Sequence, residues 1–157
     1  MTARLAVFAM TVALMCQPLT VASADQGLIT KRSNYSVLET IERFENAIKA
    51  RGWMVFTELD HAAAANKYGL DLRPRTVIVF GNPKAGTPGM QKFPTLSIDV
   101  PLKALVWQDD QGAVWLTYNS AEYLGGTIYP RHGLVMPADA RQALEQLLLE
   151  VSDQSTK

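Results

Sequence analysis

Thiol chemistry is nearly missing from this sequence: one cysteine, Cys16, stands in 157 residues, and it lies ahead of the predicted mature domain. The mature chain is therefore expected to carry neither a disulfide nor a thiolate nucleophile, and its stability must come from packing. Histidine is almost as scarce, with His61 and His132 the only two. No H-E-x-x-H or H-x-x-x-H spacing occurs, so zinc hydrolysis has no motif to use. No G-x-S-x-G marks a nucleophilic serine, and no cofactor fingerprint is present. An excess of either charge is also lacking, with 15 Lys and Arg against 15 Asp and Glu. No half of the chain carries a basic block, which argues against nucleic acid or an anionic membrane as partner. Beyond the N-terminal region there is no second long apolar run, so no membrane span is expected.

The N-terminal region has a composition of its own. Arg4 supplies a positive charge, Leu5 to Met15 is almost wholly apolar, Gln17 and Pro18 break the run, and Val21-Ala22-Ser23-Ala24 offers small residues in an A-x-A arrangement. These are the three parts of a secretory signal peptide. The apolar run, about 11 residues, is short of the roughly 20 that a spanning helix needs. Met15 before Cys16 is too large for a lipidation site. Cleavage is predicted after Ala24, which implies a periplasmic or secreted protein with a mature chain of about 133 residues, a size suited to one domain.

From Asp25 the pattern alternates between helical and extended periods. Residues 25–34 read as a polar lead-in, with a short strand at Ser33 to Tyr35. Ser36 and Glu39 have capping-box spacing, and Ile41, Phe44, Ala47 and Ile48 form the apolar face of a helix that Gly52 stops. Trp53 to Leu59 is aromatic and β-branched, a strand. Asp60 caps a short helix, His61 to Tyr68. Thr76 to Phe80 is an unbroken apolar run, a central strand. Gly81 to Pro94 is dense in glycine and proline and reads as an ordered loop holding at most one helical turn. Ser97 to Val100 is read as extended, ahead of Pro101. Leu102 to Gln108 and Ala113 to Tyr118 make a hairpin, a short helix follows Asn119 or Ser120, and a last helix runs from about Pro137 to Val151, leaving 152–157 as a loose tail. The expected architecture is an α+β two-layer sandwich over 35–151, with a mostly antiparallel sheet and two long helices on one face.

Several short segments together resemble a known family. Asp60-His61-Ala62, Leu72-Arg73-Pro74, Gly81-Asn82-Pro83 with Gly86-Thr87 and Met90, Asp99-Val100-Pro101-Leu102-Lys103, Tyr118-Asn119 and Arg131-His132-Gly133-Leu134 are similar in order and spacing to the domain-of-unknown-function 302 family. The resemblance spans roughly Tyr35 to Leu134. It implies a β-α-β(4)-α fold and marks the G-N-P and D-x-P-L-K segments as signature positions, but implies no reaction. The chain departs from the family pattern at Pro88-Gly89 and in the longer stretch Gly125 to Pro130, which leaves the placement of His132 relative to His61 open.

The candidate sites are modest. Gly81 to Thr87 follows a strand and has two glycines, but a phosphate loop needs Lys and then Ser or Thr after the second glycine, where Thr87 and Pro88 stand. Nucleotide binding is rejected, and a punctuating loop is the plainer account. A ligand reading would use Asn82, Lys84 and Thr87 with loop amides around an anion, joined by Arg73 and Lys103 from the signature segments. Arg73 is expected to pair with Asp71 or Asp99. Asp60 and His61 are the catalytic candidates, with His61 as a neutral base at a helix start, although a helix cap explains Asp60 in full. The leading expectation is an exported module that binds a small, anionic ligand. The alternatives are an enzyme using His61 with a carboxylate as general acid or base, and a homodimeric interaction module, for which Leu149 is expected to point off the core face.

Overall fold

The computed structural model describes residues 27–157, so the predicted signal peptide and its cleavage site lie outside the described residues. Five strands form one antiparallel sheet in the order β1-β5-β4-β3-β2. They are β1 (Leu28–Ser33), β2 (Met54–Asp60), β3 (Arg75–Gly81), β4 (Leu102–Gln108) and β5 (Val114–Asn119). The two long helices are α1 (Val37–Ala50) and α5 (Ala138–Thr156); α2 (His61–Asn66), α3 (Pro83–Lys92) and α4 (Ala121–Tyr123) are shorter. The expected α+β sandwich is what the chain adopts.

Period-two alternation selects the covered face of the sheet. Ile78 and Phe80 of β3, Ala104 and Val106 of β4, and Val114, Leu116 and Tyr118 of β5 are buried against Ile41, Phe44, Ala47 and Ile48 of α1 and Leu148 and Val151 of α5. Phe44 meets Phe80 edge to face, with ring centroids 5.2 Å apart, the favourable quadrupolar arrangement. Ser36 caps α1 by accepting from the Glu39 amide. On the opposite face Trp107 and Trp115 stack at 6.1 Å, and their indole N–H groups donate to Thr117 and Asp109. Asp109 also accepts from the amides of Gln111 and Ala113, which closes the hairpin with Gly112 at φ +82°.

Four segments differ from expectation. The lead-in is strand: β1 runs through residues 28–33 and pairs along its whole length with β5. The glycine- and proline-rich stretch is not a loop but the ten-residue helix α3. Pro83 takes its first position, where a missing N–H is harmless, and Asn82 caps it. Ser97 to Val100 is not extended; Pro94–Ile98 forms a 3-10 turn. The tail expected to be loose is the last turn of α5, with Ser152, Ser155 and Thr156 buried. The Asn34 amide donates to the Thr156 carbonyl at 2.9 Å, and Lys31 pairs with Asp153 at 2.5 Å. Leu149 does turn off the core face and is 40% exposed.

Candidate functional site

A groove of about 770 Å³ lies between α3 and α5, over the end of the sheet. Its floor is Gly81 at the end of β3, Leu102 at the start of β4, Trp53 just before β2 and Phe56 within it. Ala85, Gly86, Gly89 and Met90 of α3 form one wall. Ala140, Ala143, Leu144 and Leu147 form the other, at the i, i+3, i+4, i+7 spacing of a single helical stripe. Leu96, Val100, Tyr129, Leu134 and Met136 shape its end, where Leu96 and Tyr129 anchor a second small apolar cluster.

The groove is open because both walls carry small residues. A methyl group at Gly86 would meet only the Met90 terminal methyl, 3.8 Å away. At Gly89 it would approach Leu96 to 3.1 Å, so that glycine also lets α3 settle on the following 3-10 turn. Besides the Trp53 indole, two polar side chains border this apolar surface. Asn82 turns its Oδ1 to the Lys84 amide at 3.0 Å, and Tyr129 is 7% exposed. Burial, followed by the negative charge of Asp99, pushes the Tyr129 phenol above its ordinary range.

Beside the groove lies the main cluster of titratable groups. The turn Pro130–His132 is bolted to the segment 95–99 by its side chains. His132 Nε2 donates to Asp99 Oδ2 at 2.5 Å, and His132 Nδ1 lies 3.0 Å from Thr95 Oγ1. Arg131 donates to the same carboxylate oxygen from Nε at 2.9 Å and Nη2 at 2.5 Å. The His132 side chain is only 6% exposed. The His132 hydrogen bond, and then that from Arg131, hold the Asp99 carboxyl below its usual range against the opposing effect of burial. Gly133, at φ +85°, ends the turn beside the Phe93 ring. Carboxylate, imidazole and hydroxyl stand in the order used to activate a hydroxyl. Thr95, though, is not among the residues lining the groove, and the arrangement serves first to fix Leu134 and Tyr129 at the groove end.

The sequence-derived candidates are not gathered at one place. Asn82 reaches the groove. Lys84 and Thr87 are exposed and fall on the side of α3 away from Ala85, Gly86, Gly89 and Met90. Lys103 donates to the carbonyls of Asp99 and Pro101. Arg73 pairs with Asp110 of the hairpin at 2.9 Å, rather than with Asp71 or Asp99. Asp60 caps α2 by accepting from the Ala63 amide at 2.9 Å, and His61 is exposed in the first turn of that helix. Neither His132 nor Tyr129 stands among the sequence-derived site residues. The signal for His132 was present in the Arg131-His132-Gly133-Leu134 segment, but nothing local tied it to Asp99, 33 residues away.

A five-stranded antiparallel sheet backed by two helices, with an apolar groove at one end, defines a small α+β two-layer domain. The chain belongs to the family described as domain of unknown function DUF302, whose model matches residues 29–151. The fold is shared with a solved structure, an uncharacterized conserved protein DUF302 from Bacillus stearothermophilus, at a TM-score of 0.69 and 20% identity, covering 83% of this chain and 98% of that one. Among curated proteins, the chain is similar to a fluoride-specific ion channel FluC 1 of Brucella suis, 45% identical over 115 residues, which is 73% of this chain and 44% of that protein. It matches a FluC 1 of Brucella abortus at the same identity over 41% of that protein's length. The chain thus spans less than half the length of these relatives. No helix among the described residues is long and apolar enough to cross a membrane.

Proposed function

We propose that this domain is an exported small-ligand-binding module and that its ligand lies in the groove between α3 and α5. The observation that carries this reading is a groove of about 770 Å³ between apolar walls, within the range of roughly 300–1,000 Å³ usual for small-molecule sites. Facing glycines and alanines leave this space open along both walls. The cations first considered for an anion lie outside it, and the ligand's body is accordingly apolar. The test is binding of Nile red, followed by its fluorescence, to the mature protein and to Gly86→Leu. The variant places a side chain in open space and removes a mid-helix glycine, which favours folding by roughly 0.5–1 kcal/mol. Dye binding is expected to be lost while thermal stability holds or rises. Equal binding by both proteins would rule the groove out.

A second reading is favoured by the Brucella relatives, in which the matched region forms part of proteins named as fluoride-specific channels. In that reading the domain serves fluoride handling alongside a membrane protein. Deletion of its gene is then expected to lower the fluoride concentration that arrests growth, and an unchanged threshold would dismiss it. Self-association through the exposed Leu149 is a compatible addition, and Leu149→Glu is expected to convert any dimer seen by sedimentation to monomer.

A further inference from the structure

The groove differs from an ordinary hydrophobic cleft in its polar inventory. None of the residues that line it carries a charge. Its side chains with polar atoms are Trp53, Asn82 and Tyr129, and Asn82 and Tyr129 each have a donor to spare. Asn82 spends its carbonyl oxygen on the Lys84 amide, which fixes the amide orientation and leaves the NH₂ without a hydrogen-bond partner among the described residues. Tyr129 is more than nine-tenths buried, and its hydroxyl has no partner among the described residues either. The one side-chain polar atom there that is both sealed from solvent and unpartnered is Arg43 Nε, so the Tyr129 hydroxyl reaches open space. The open space that Tyr129 borders is the groove. Water satisfies a hydroxyl in open space, and a ligand acceptor entering the groove would take its place.

The lining narrows the choice of acceptor. The Tyr129 phenol, pushed up by burial and then by Asp99, stays protonated and acts as a donor. The Asp99 charge is itself met by Arg131 and His132. An apolar cavity with no cation in its lining gives a carboxylate nothing to offset its lost hydration. Resting on the binding reading above, we infer that the groove selects a neutral, largely aliphatic or aromatic molecule bearing a carbonyl-type oxygen (a ketone, ester, lactone or amide) that accepts from Tyr129 or Asn82.

Competition against Nile red tests this with two probes of matched chain length, 2-decanone and decanoate, at pH 7.5. The ketone is expected to displace the dye at a concentration at least about tenfold lower than the carboxylate does. Tyr129→Phe keeps the ring and removes the hydroxyl, and it is expected to weaken the ketone about three- to tenfold, the worth of one hydrogen bond. Asn82→Asp keeps the cap on α3 while removing the NH₂, and it provides a second reading should Tyr129→Phe fail to fold. Decanoate binding as well as or better than 2-decanone overturns the inference while leaving the binding module intact. Ketone affinity unchanged in both variants does the same. Failure of Nile red and both probes to bind overturns the inference together with the reading beneath it.

Discussion

Asp99 receives hydrogen bonds from two consecutive residues of one turn, Arg131 and His132, and so ties the chain around residue 131 to the chain around residue 97. Its side chain is 19% exposed, deep enough for these bonds to matter. Because its folded pKa lies below the ordinary 3.8, the stability it contributes is fully present above that value. It is lost as pH falls through the folded pKa. Asp99→Asn is expected to lower the unfolding free energy by about 1.5–3 kcal/mol at pH 7, the range for hydrogen bonds to a charged group. The gap to wild type is expected to narrow as pH falls below 3.8 and through the folded pKa, and urea unfolding at pH 7 and at successively lower pH measures it. A gap independent of pH would mean that the carboxylate charge is irrelevant. Gly133 supports the same turn. A Cβ there would come within 3.2 Å of the Phe93 ring, at a φ of +85° that L-residues adopt only at a cost of roughly 1–2 kcal/mol.

At the scale of elements, α3 and α5 differ in what holds them. α3 buries none of its residues fully and carries Gly86, Gly89 and an interior proline, Pro88. It is intrinsically a weak helix, kept in place by its Asn82 cap and its contacts with the 3-10 turn. Its amides are expected to exchange with deuterium far faster than those of α1, and a ligand in the groove should slow them selectively. Exchange in α3 as slow as in α1 without ligand would contradict this. The C-terminal turn of α5 is the opposite case. Ser152, Ser155 and Thr156 are buried, and their hydroxyls are satisfied within the helix or by Tyr118. Deletion of residues 152–157 is therefore expected to destabilise the domain by well over the about 0.5 kcal/mol typical of surface changes. A melting temperature unchanged by the deletion would show the turn to be dispensable.

For the whole molecule, the carboxylates set the response to acid. Asp99, Asp109 and Asp153 all have depressed pKa values, Asp109 chiefly through the Trp115 indole and Asp153, at about 2, through Lys157 and Lys31. Each adds stability above pH 3.8 that disappears as pH falls through its folded pKa. Glu58 runs the other way, raised by partial burial and by Glu45, so its contribution improves on acidification. With three lowered against one raised, stability is expected to be flat from pH 7 to about 5 and to decline below about pH 4, continuing toward pH 2. A denaturant midpoint that rises below pH 4 would reverse the assignment.

Local pattern was enough to place α1, β3 and the β4–β5 hairpin, because each is specified by contacts within a few residues: the Ser36 cap, the apolar run of residues 76–80, and the Asp109 turn. The two-layer architecture follows from those periods once both long helices have an apolar face to bury. Where the outcome depends on residues distant in sequence, local pattern failed. Residues 28–33 look polar, yet β5 offers them an edge to pair with. Residues 152–157 look loose, yet Asn34 and Lys31 capture them. Residues 83–92 look like a loop because proline and glycine weaken a helix, but a cap at Asn82 and a surface to lie on are sufficient. The same holds for the site. The sequence by itself determined the fold class and the lack of metal and serine-nucleophile motifs, and its family resemblance marked the G-N-P and D-x-P-L-K segments as signature positions. Only the tertiary structure decided that those segments frame an apolar groove, that Asp99 and His132 meet, and that Lys84 and Thr87 face away. Such facts depend on which faces of separate elements are brought together, and that is fixed by packing rather than by spacing along the chain.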